Sequence, residues 1–174
     1  MAEFEKAIPI ILKHEGGFVN HPADPGGATN RGITFNLFKQ YAKSLGFMST
    51  VEALKNMTEV QAKSIYKVHF WDKMRGLEFK DQSVANITFD AFVNCGYNGI
   101  KIVQRMAGTN DDGIIGPNSL TAINGANPKV LFDSIKEERV NYYKDLAERK
   151  PQMGVFLRGW LNRVDSFVYK NYEL

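Results

Sequence analysis

The segment from Glu15 to Thr34 places five glycines and two prolines within twenty residues. Glycine loses much conformational freedom when it enters a helix, and proline removes a backbone donor and clashes with the preceding turn. This segment therefore interrupts the helical periodicity on either side of it. We predict a loop there, with at most a small β-hairpin.

Composition places the 174-residue chain among ordinary folded proteins, since 44% of its residues are hydrophobic and 24% are charged. No apolar run approaches the ~20 residues that cross a bilayer, so we predict no membrane insertion. The first residues lack the basic and apolar regions of a secretory signal, and we expect none. Cys95 is the only cysteine, which excludes an internal disulfide, and we interpret it as a small core residue rather than a nucleophile.

A net charge of +3 suits an anionic polymer as a partner. Nucleic acid is not expected, because the chain has no dense Lys/Arg run and no basic–aromatic stripe. The three histidines form no cluster with metal-ligand spacing, so no metal is implied, and nothing implies an organic cofactor.

Apolar residues at helical spacing predict a mainly α fold. Capping-box sequences at Ser49 and Thr58, and prolines before two later helices, mark where helices begin. The predicted helices cover approximately residues 2–14, 34–45, 59–71, 82–95, 100–107 and 128–149, with one more starting near Pro117 and a last one after Pro151. We expect two small lobes, with a catalytic region at 1–90 and a helical region at 91–174.

Glu15, Asp24 and Thr29 bring two acids and a hydroxyl into the glycine-rich segment. Breaking a glycosidic bond uses one acid to protonate the leaving oxygen and a second group to assist water or stabilise an oxocarbenium ion. Glu15 follows a helix C-terminus, whose partial negative charge favours the protonated form of a general acid. The alternatives are an exposed glutamate at a helix end and an aspartate that only forms a turn.

The pattern Glu15-Gly16-Gly17, then Asn20, Pro22, Asp24, Gly26-Gly27, Thr29-Asn30 and Gly32-Ile33-Thr34 resembles glycoside hydrolase family 108, a family of phage and bacterial N-acetylmuramidases that includes endolysins and secretion activators. The resemblance implies a lysozyme-like two-lobed helical fold around the 15–34 hairpin region. It also implies that Glu15 is the general acid. A looser likeness to phage lysozymes assigns Asp24 and Thr29 to the water-activating side.

The second half resembles the peptidoglycan-binding region that follows this catalytic segment in the family. The resemblance is carried by residues 90–96, 103–105 and 111–117. A tight turn entering a helix is an alternative explanation for residues 111–117.

The candidate sugar-binding residues are Asn20, Asn30, Asp90, Asn94 and Tyr97. Asp90 and Asn94 lie one helical turn apart, and either they face a cleft or Asp90 pairs with a base. Among the aromatic residues that can stack on sugar rings, Tyr97 is favoured over Tyr66, Trp71 and Trp160.

The expected activity is hydrolysis of the β-1,4 bond between N-acetylmuramic acid and N-acetylglucosamine in peptidoglycan glycan strands. A non-catalytic wall-binding protein, a secretion or assembly factor and a lytic transglycosylase remain alternatives. We expect a monomeric bacterial or phage protein, made in the cytoplasm, that acts on the cell wall after export or holin-type release.

Overall fold

The chain is described here by a computed structural model that covers residues 1–20 and 27–172. The helices in these ranges are α1 (Phe4–Lys13), α2 (Phe35–Ala42), α3 (Val51–Lys55), α4 (Glu59–Tyr66), α5 (Gln82–Cys95), α6 (Tyr97–Met106), α7 (Pro117–Gly125), α8 (Pro128–Arg149) and α9 (Leu157–Asp165). Strands β1 (Thr29–Asn30) and β2 (Ile33–Thr34) form a two-stranded antiparallel sheet. The predicted mainly α fold with a small hairpin in the glycine-rich segment is confirmed.

Threonine side chains begin three of the early helices, as the capping box at Thr58 predicts for α4, whereas α3 is capped by Thr50, one residue after the predicted Ser49. Thr34 accepts a hydrogen bond from the Leu37 amide at the start of α2. Thr50 accepts a hydrogen bond from the Ala53 amide at the start of α3. Thr58 forms a complete capping box with Gln61 at the start of α4. Each hydroxyl satisfies a backbone donor that the first helical turn leaves without a partner.

Three helix boundaries differ from the predicted ones for local reasons. The helix α6 begins at Tyr97 rather than near Ile100, because Gly96 at φ +58° ends α5 and turns the chain in a single residue. The last helix is preceded by a 3-10 segment at Pro151–Phe156, so α9 starts only at Leu157. The helix predicted up to residue 71 ends as α at Tyr66 and continues as a π-helical turn, Lys67–Trp71.

The chain divides into two compact units. The first unit contains Met1–Ala7 and Trp71–Leu174, and the second contains Ile8–Phe70. The expected catalytic region at 1–90 and the helical region at 91–174, packed on it as one compact unit, stay a prediction.

The first unit is built around α5, of which the first eleven residues are buried. It packs against α6 and α8, and α8 packs in turn against α9. An aromatic cluster joins the start of the chain to this core: Phe4 contacts Trp71 and Phe89 with ring centroids 5.8 and 6.1 Å apart. Burial of such rings supplies much of the hydrophobic stabilisation of a small core.

The second unit carries its own apolar core. Ile8 and Ile11 of α1 are fully buried, and so are Ile33 of β2, Leu54 of α3 and Ile65 of α4. The elements α1, β2, α3 and α4 thus each contribute buried apolar side chains to this core. Across residues 1–20 and 27–172, no helix combines the length and hydrophobicity that a bilayer span requires.

Candidate active site

A two-residue turn connects β1 to β2 in the second unit. Thr29 pairs with Thr34 and Asn30 pairs with Ile33, which leaves Arg31 and Gly32 as the central residues. Both have positive φ, at 49° and 73°, as a type I′ turn requires. Gly32 adopts this conformation without strain, whereas Arg31 adopts a region that L residues with a side chain seldom occupy.

The chain leaving α1 is tied to this hairpin by backbone hydrogen bonds. The Arg31 amide donates to the Gly16 carbonyl at 3.1 Å, and Val19 and Thr29 exchange two bonds of 2.8 Å. The glycines at 16 and 17 form no regular element, and the chain folds back along β1 immediately after Glu15. Glu15 is therefore placed beside the turn by backbone contacts on its C-terminal side.

The Glu15 carboxyl group lies against the Cα atom of Gly32. A Cβ atom built on Gly32 would lie 2.6 Å from the Glu15 Cδ and closer still to its Oε2, both well inside van der Waals contact. The same Cβ would lie 2.5 Å from the hydroxyl oxygen of Tyr66. Only a residue without a side chain leaves room for this carboxyl group, so Gly32 shapes the site as well as the turn.

Tyr66 is hydrogen-bonded to the backbone of the turn. Its side chain is fully buried, and its hydroxyl donates to the Arg31 carbonyl at 2.9 Å. Asn30 adds a second anchor, because its buried amide donates to the carbonyls of Leu54 and Lys55 at the end of α3, at 2.8 and 3.0 Å. The turn that faces Glu15 is thus fixed to both α3 and α4.

Glu15 opens onto a cleft of about 330 Å³ within the second unit. The cleft lies between the Glu15–Phe18 segment, the hairpin turn and the end of α3, and Glu15 itself is half-buried. Its volume falls in the range of roughly 300–1,000 Å³ that is typical of small-molecule sites. The lining residues are Glu15, Gly16, Gly17, Phe18, Asn30, Arg31, Lys55, Asn56 and Met57. Arg31 and Lys55 give this acid-bearing cleft a cationic rim.

The other residues predicted from the glycine-rich segment have different positions. Thr29 is half-buried in β1, where its hydroxyl lies 3.5 Å from the Gly27 carbonyl. Asn30 lines the cleft, but its amide group is turned inward to α3 and is engaged there. Asn20 is exposed next to the Val19–Thr29 bridge. Asp24 lies outside the residues that the structure describes.

Asp90 is completely buried in the first unit, where it pairs with two arginines. Arg139 and Arg163 each approach one of its carboxylate oxygens at 2.8 Å. Burial disfavours the charged form of Arg139, yet the Asp90 carboxylate outweighs this and raises the pKa of the guanidinium above its usual value. Of the two interpretations of Asp90, the structure shows the ion pair with bases, since no sugar reaches a side chain with this burial.

Asn94 and Tyr97 lie at the exposed end of the same region. The Asn94 amide donates to the Asp90 carbonyl at 2.8 Å, a bond along the helix that occupies one of its donors. Tyr97 is 58% exposed, and its ring packs against Phe92 with centroids 5.5 Å apart. By contrast, Tyr66 and Trp71 are fully buried and do not serve as stacking platforms, and Trp160 packs against Tyr143 with centroids 5.0 Å apart.

Two residues of the site escape motif reasoning. Gly32 belongs to the quoted pattern, but the pattern does not show that it makes room for Glu15. Tyr66 lies more than thirty residues after the hairpin and shares no motif with it. In the sequence, Tyr66 stood out only as an aromatic residue of a predicted helix that could stack on a sugar ring.

This chain is helical, and a half-buried glutamate lies just after its first helix, beside a short hairpin and a cleft. Its fold is lysozyme-like. Residues 8–96 match the family described as glycosyl hydrolase 108, and the chain belongs to that family. Residues 98–165 match a second family, described as a predicted peptidoglycan domain.

A solved structure of SagA from Brucella abortus is similar to this chain. The two are 29% identical, the match covers 98% of each chain, and the TM-score is 0.80. A search of curated proteins finds no match. The two family matches assign the chain a peptidoglycan-hydrolase-like role, with a glycoside hydrolase region and peptidoglycan as its substrate partner.

Proposed function

We propose that this protein hydrolyses the β-1,4 bond between N-acetylmuramic acid and N-acetylglucosamine, with Glu15 as the general acid. The observation that carries this assignment is the placement of Glu15, held half-buried at the edge of a cleft by Gly32 and the backbone on either side. A general acid must be fixed within reach of the bond it protonates, and a rigid turn provides this.

In the proposed reaction, the Glu15 carboxyl group gives its proton to the glycosidic oxygen. The bond from that oxygen to the anomeric carbon breaks, and the oxygen leaves as a hydroxyl group of the departing sugar. An oxocarbenium-like centre develops at the anomeric carbon and is captured by water, which loses a proton. That proton restores the carboxyl group, directly or through solvent, so the enzyme is regenerated.

The candidates for the second group of the mechanism are Asp24 and Thr29, which the looser likeness to phage lysozymes suggests, and a residue from the other predicted lobe. Thr29 lies in β1, and its hydroxyl makes a long contact of 3.5 Å to the Gly27 carbonyl, a geometry that still allows it to bind water. The substitutions Asp24→Asn and Thr29→Val separate the two. The residue that orients water is the one whose loss lowers kcat while the affinity for the wall is unchanged.

Product analysis tests the proposed bond and reaction type. Purified peptidoglycan is digested, the new reducing ends are reduced with borohydride, and the fragments are identified by mass spectrometry. We expect muramitol ends. Glucosaminitol ends would place the cut at the other glycosidic bond, anhydro-muramic ends would show a transglycosylase, and the absence of soluble fragments would show a wall-binding protein.

The matched controls are Glu15→Gln and Glu5→Gln. Both remove one carboxylate next to or within α1, but Glu5 is exposed on the helix and lines no cleft. Loss of products with the first variant and normal products with the second assign the chemistry to Glu15. Normal products with both would exclude Glu15 as the general acid.

A further inference from the structure

A second cleft lies in the first unit, formed by the start of α6 and the loop before α7. Its volume is about 220 Å³, and most of its lining is aliphatic or aromatic. The lining residues are Lys73, Met74, Phe92, Tyr97, Ile100, Gly113, Ile114 and Ile115. We call this cleft the Tyr97–Ile114 groove, after the two exposed side chains on its rim.

The floor and rim of the groove differ sharply in exposure. Met74, Phe92 and Ile115 on the floor are at most 4% exposed, whereas Tyr97 and Ile114 on the rim are 58% and 67% exposed. A single exposed apolar residue is ordinary, but two of them facing one apolar hollow form a contact surface. The Tyr97 ring is also fixed in place, since its centroid lies 5.5 Å from that of Phe92.

The loop that carries Ile114 is held rigidly by a buried glutamine. Gln104 is fully buried, and its amide nitrogen donates to Asp112 Oδ1 at 2.8 Å and to the Ile114 carbonyl at 3.0 Å. Its carbonyl oxygen accepts from the Gly113 amide at 2.8 Å, and the Ile114 amide donates to Asp112 Oδ1 at 2.8 Å. Both backbone groups of Ile114 are therefore fixed while its side chain remains in solvent.

The side chain of Ile114 contributes little to folding stability, because most of it is exposed in the free protein. A preorganised apolar surface does favour binding, since little conformational freedom is lost when a ligand arrives. Sugar rings need hydrogen-bonding partners around their hydroxyl groups, and the isoleucines and methionine of this groove offer none. Small alkyl groups match its walls better.

A lysine side chain lies beside the groove. The side chain of Lys101 contacts the loop, with its Cε 3.5 Å from a Cβ built on Gly113, a residue of the lining. Two acids of the same loop have other roles: Asp111 pairs with Arg105 at 3.2 Å, and Asp112 holds the loop. An apolar hollow with a lysine at its edge suits a ligand that combines alkyl groups with carboxylates.

We propose that the Tyr97–Ile114 groove binds the stem peptide of peptidoglycan, which carries alanine methyl groups and free carboxylates. This inference rests on the peptidoglycan-directed function proposed above and specifies which part of the polymer the first unit recognises. The alanine methyls contact Ile114 and the ring of Tyr97, and a carboxylate faces Lys101. The groove thus provides affinity for cross-linked or peptide-bearing wall.

The direct test is an NMR titration of the full chain with two probes. One is the tetrapeptide L-Ala-γ-D-Glu-meso-diaminopimelate-D-Ala, and the other is chitotetraose, a glycan without peptide. We expect the peptide to shift the amide signals of Gly113 and Ile114, while chitotetraose leaves them unchanged. The assignment is overturned if the peptide leaves these signals unchanged, or if chitotetraose shifts them and the peptide does not.

Two variants test the contacts. Ile114→Ser removes an alkyl group that the bound peptide would bury, so it should weaken peptide binding about tenfold or more. Lys101→Gln should weaken it less and reduce its dependence on salt, since one screened attraction is removed. Val130→Ser is the matched control, because Val130 is 62% exposed on α8 and does not line the groove. Equal affinities for all variants would contradict the proposed contacts.

Hydrolysis assays separate this inference from the catalytic one. On intact peptidoglycan, Ile114→Ser should raise KM, and on glycan strands stripped of peptide by an amidase it should have no effect. Glu15→Gln should slow cleavage of both substrates by about 10²–10⁴-fold but leave the peptide titration unchanged. Peptide binding without any cleavage by the unmodified chain would overturn the catalytic role alone, and normal cleavage without peptide binding would overturn the groove alone.

Discussion

The carboxyl group of Glu15 occupies the space that a side chain on Gly32 would fill. The two residues are seventeen positions apart in sequence, yet a Cβ on Gly32 would lie 2.6 Å from the Glu15 Cδ. The type I′ turn brings them together, because it places Gly32 beside Glu15, just after the end of α1. The geometry of the proposed acid therefore depends on a residue that has no functional group.

The substitution Gly32→Ala tests this dependence. The new methyl group must displace the Glu15 carboxyl group or the Tyr66 hydroxyl, and a shift of 1 Å in a catalytic group can cost about a hundredfold in rate. We expect the rate of wall solubilisation to fall on that order. The measurement is the initial rate of release of soluble fragments from purified peptidoglycan.

Gly46→Ala is the control for backbone strain. Gly46 has φ +77° against +73° for Gly32, it lies in the same unit, and a Cβ there meets nothing within 4 Å. Both variants should therefore lose roughly 1–2 kcal/mol of stability to the left-handed conformation. Equal loss of activity in the two variants would mean that strain, and not displacement of Glu15, limits the reaction.

Tyr66→Phe removes the hydroxyl that holds the Arg31 carbonyl at 2.9 Å. We expect a loss of about 1 kcal/mol in the free energy of unfolding, the net value of one such bond. Because the freed turn carries Gly32, kcat should also fall several-fold while KM stays unchanged. Tyr41→Phe is the comparison, since it removes a 2.7 Å contact to His69 in the same unit without touching the turn. A normal kcat for Tyr66→Phe would show that this hydroxyl stabilises the fold only.

Asp90 offers a test of stability that is independent of the site. Asp90→Asn leaves the guanidinium groups of Arg139 and Arg163 buried or nearly buried without their countercharge. Removal of one partner from a buried pair typically costs about 3–5 kcal/mol. Asp133→Asn breaks the exposed pair with Lys129 and should cost about 0–1 kcal/mol. Urea unfolding of both variants measures the difference, and similar values for the two would contradict the buried network.

The thiol of Cys95 should react slowly in the folded protein. Burial raises its pKa above the ordinary value, and its sulfur lies 3.1 Å from the Tyr143 hydroxyl. A raised pKa keeps the folded form protonated while the unfolded form ionises, so this group lowers stability as pH rises through its unfolded pKa. Alkylation by iodoacetamide at about pH 8.5 should be at least tenfold slower for folded than for urea-unfolded chain. Equal rates would mean that the thiol is accessible.

Much of the helical pattern could be predicted from sequence, because the signals were local. The ends of α5 and α8 follow from their apolar periodicity and from the residues that bound them, and the threonine caps of α2 and α4 follow from local sequence signals. The motif before α3 predicts Ser49, one residue before the observed cap, Thr50. The hairpin was predictable as a break in periodicity, although its turn type depends on the positive φ of Arg31, a residue that does not favour it.

The site residues were less predictable, because they depend on contacts across long sequence separations. Glu15 stood out through the family pattern, whereas the role of Tyr66 arises only when α4 packs under the hairpin. Asp90 shows the converse problem. A polar residue one turn from Asn94 fits a sugar ligand equally well in sequence, and only the packing of α8 and α9 around it reveals Arg139 and Arg163 as its partners.

The central claim is that Glu15 supplies the proton that breaks the glycosidic bond. The most direct measurement is kcat for Glu15→Gln on purified peptidoglycan, beside a sedimentation assay of its binding to the same walls. General acid catalysis contributes about 10²–10⁴ in rate, so we predict a loss in that range with unchanged binding. Glutamine keeps the volume beside Gly32 but has no proton to transfer. A variant that releases soluble fragments within a few-fold of the unmodified rate would contradict the role of Glu15.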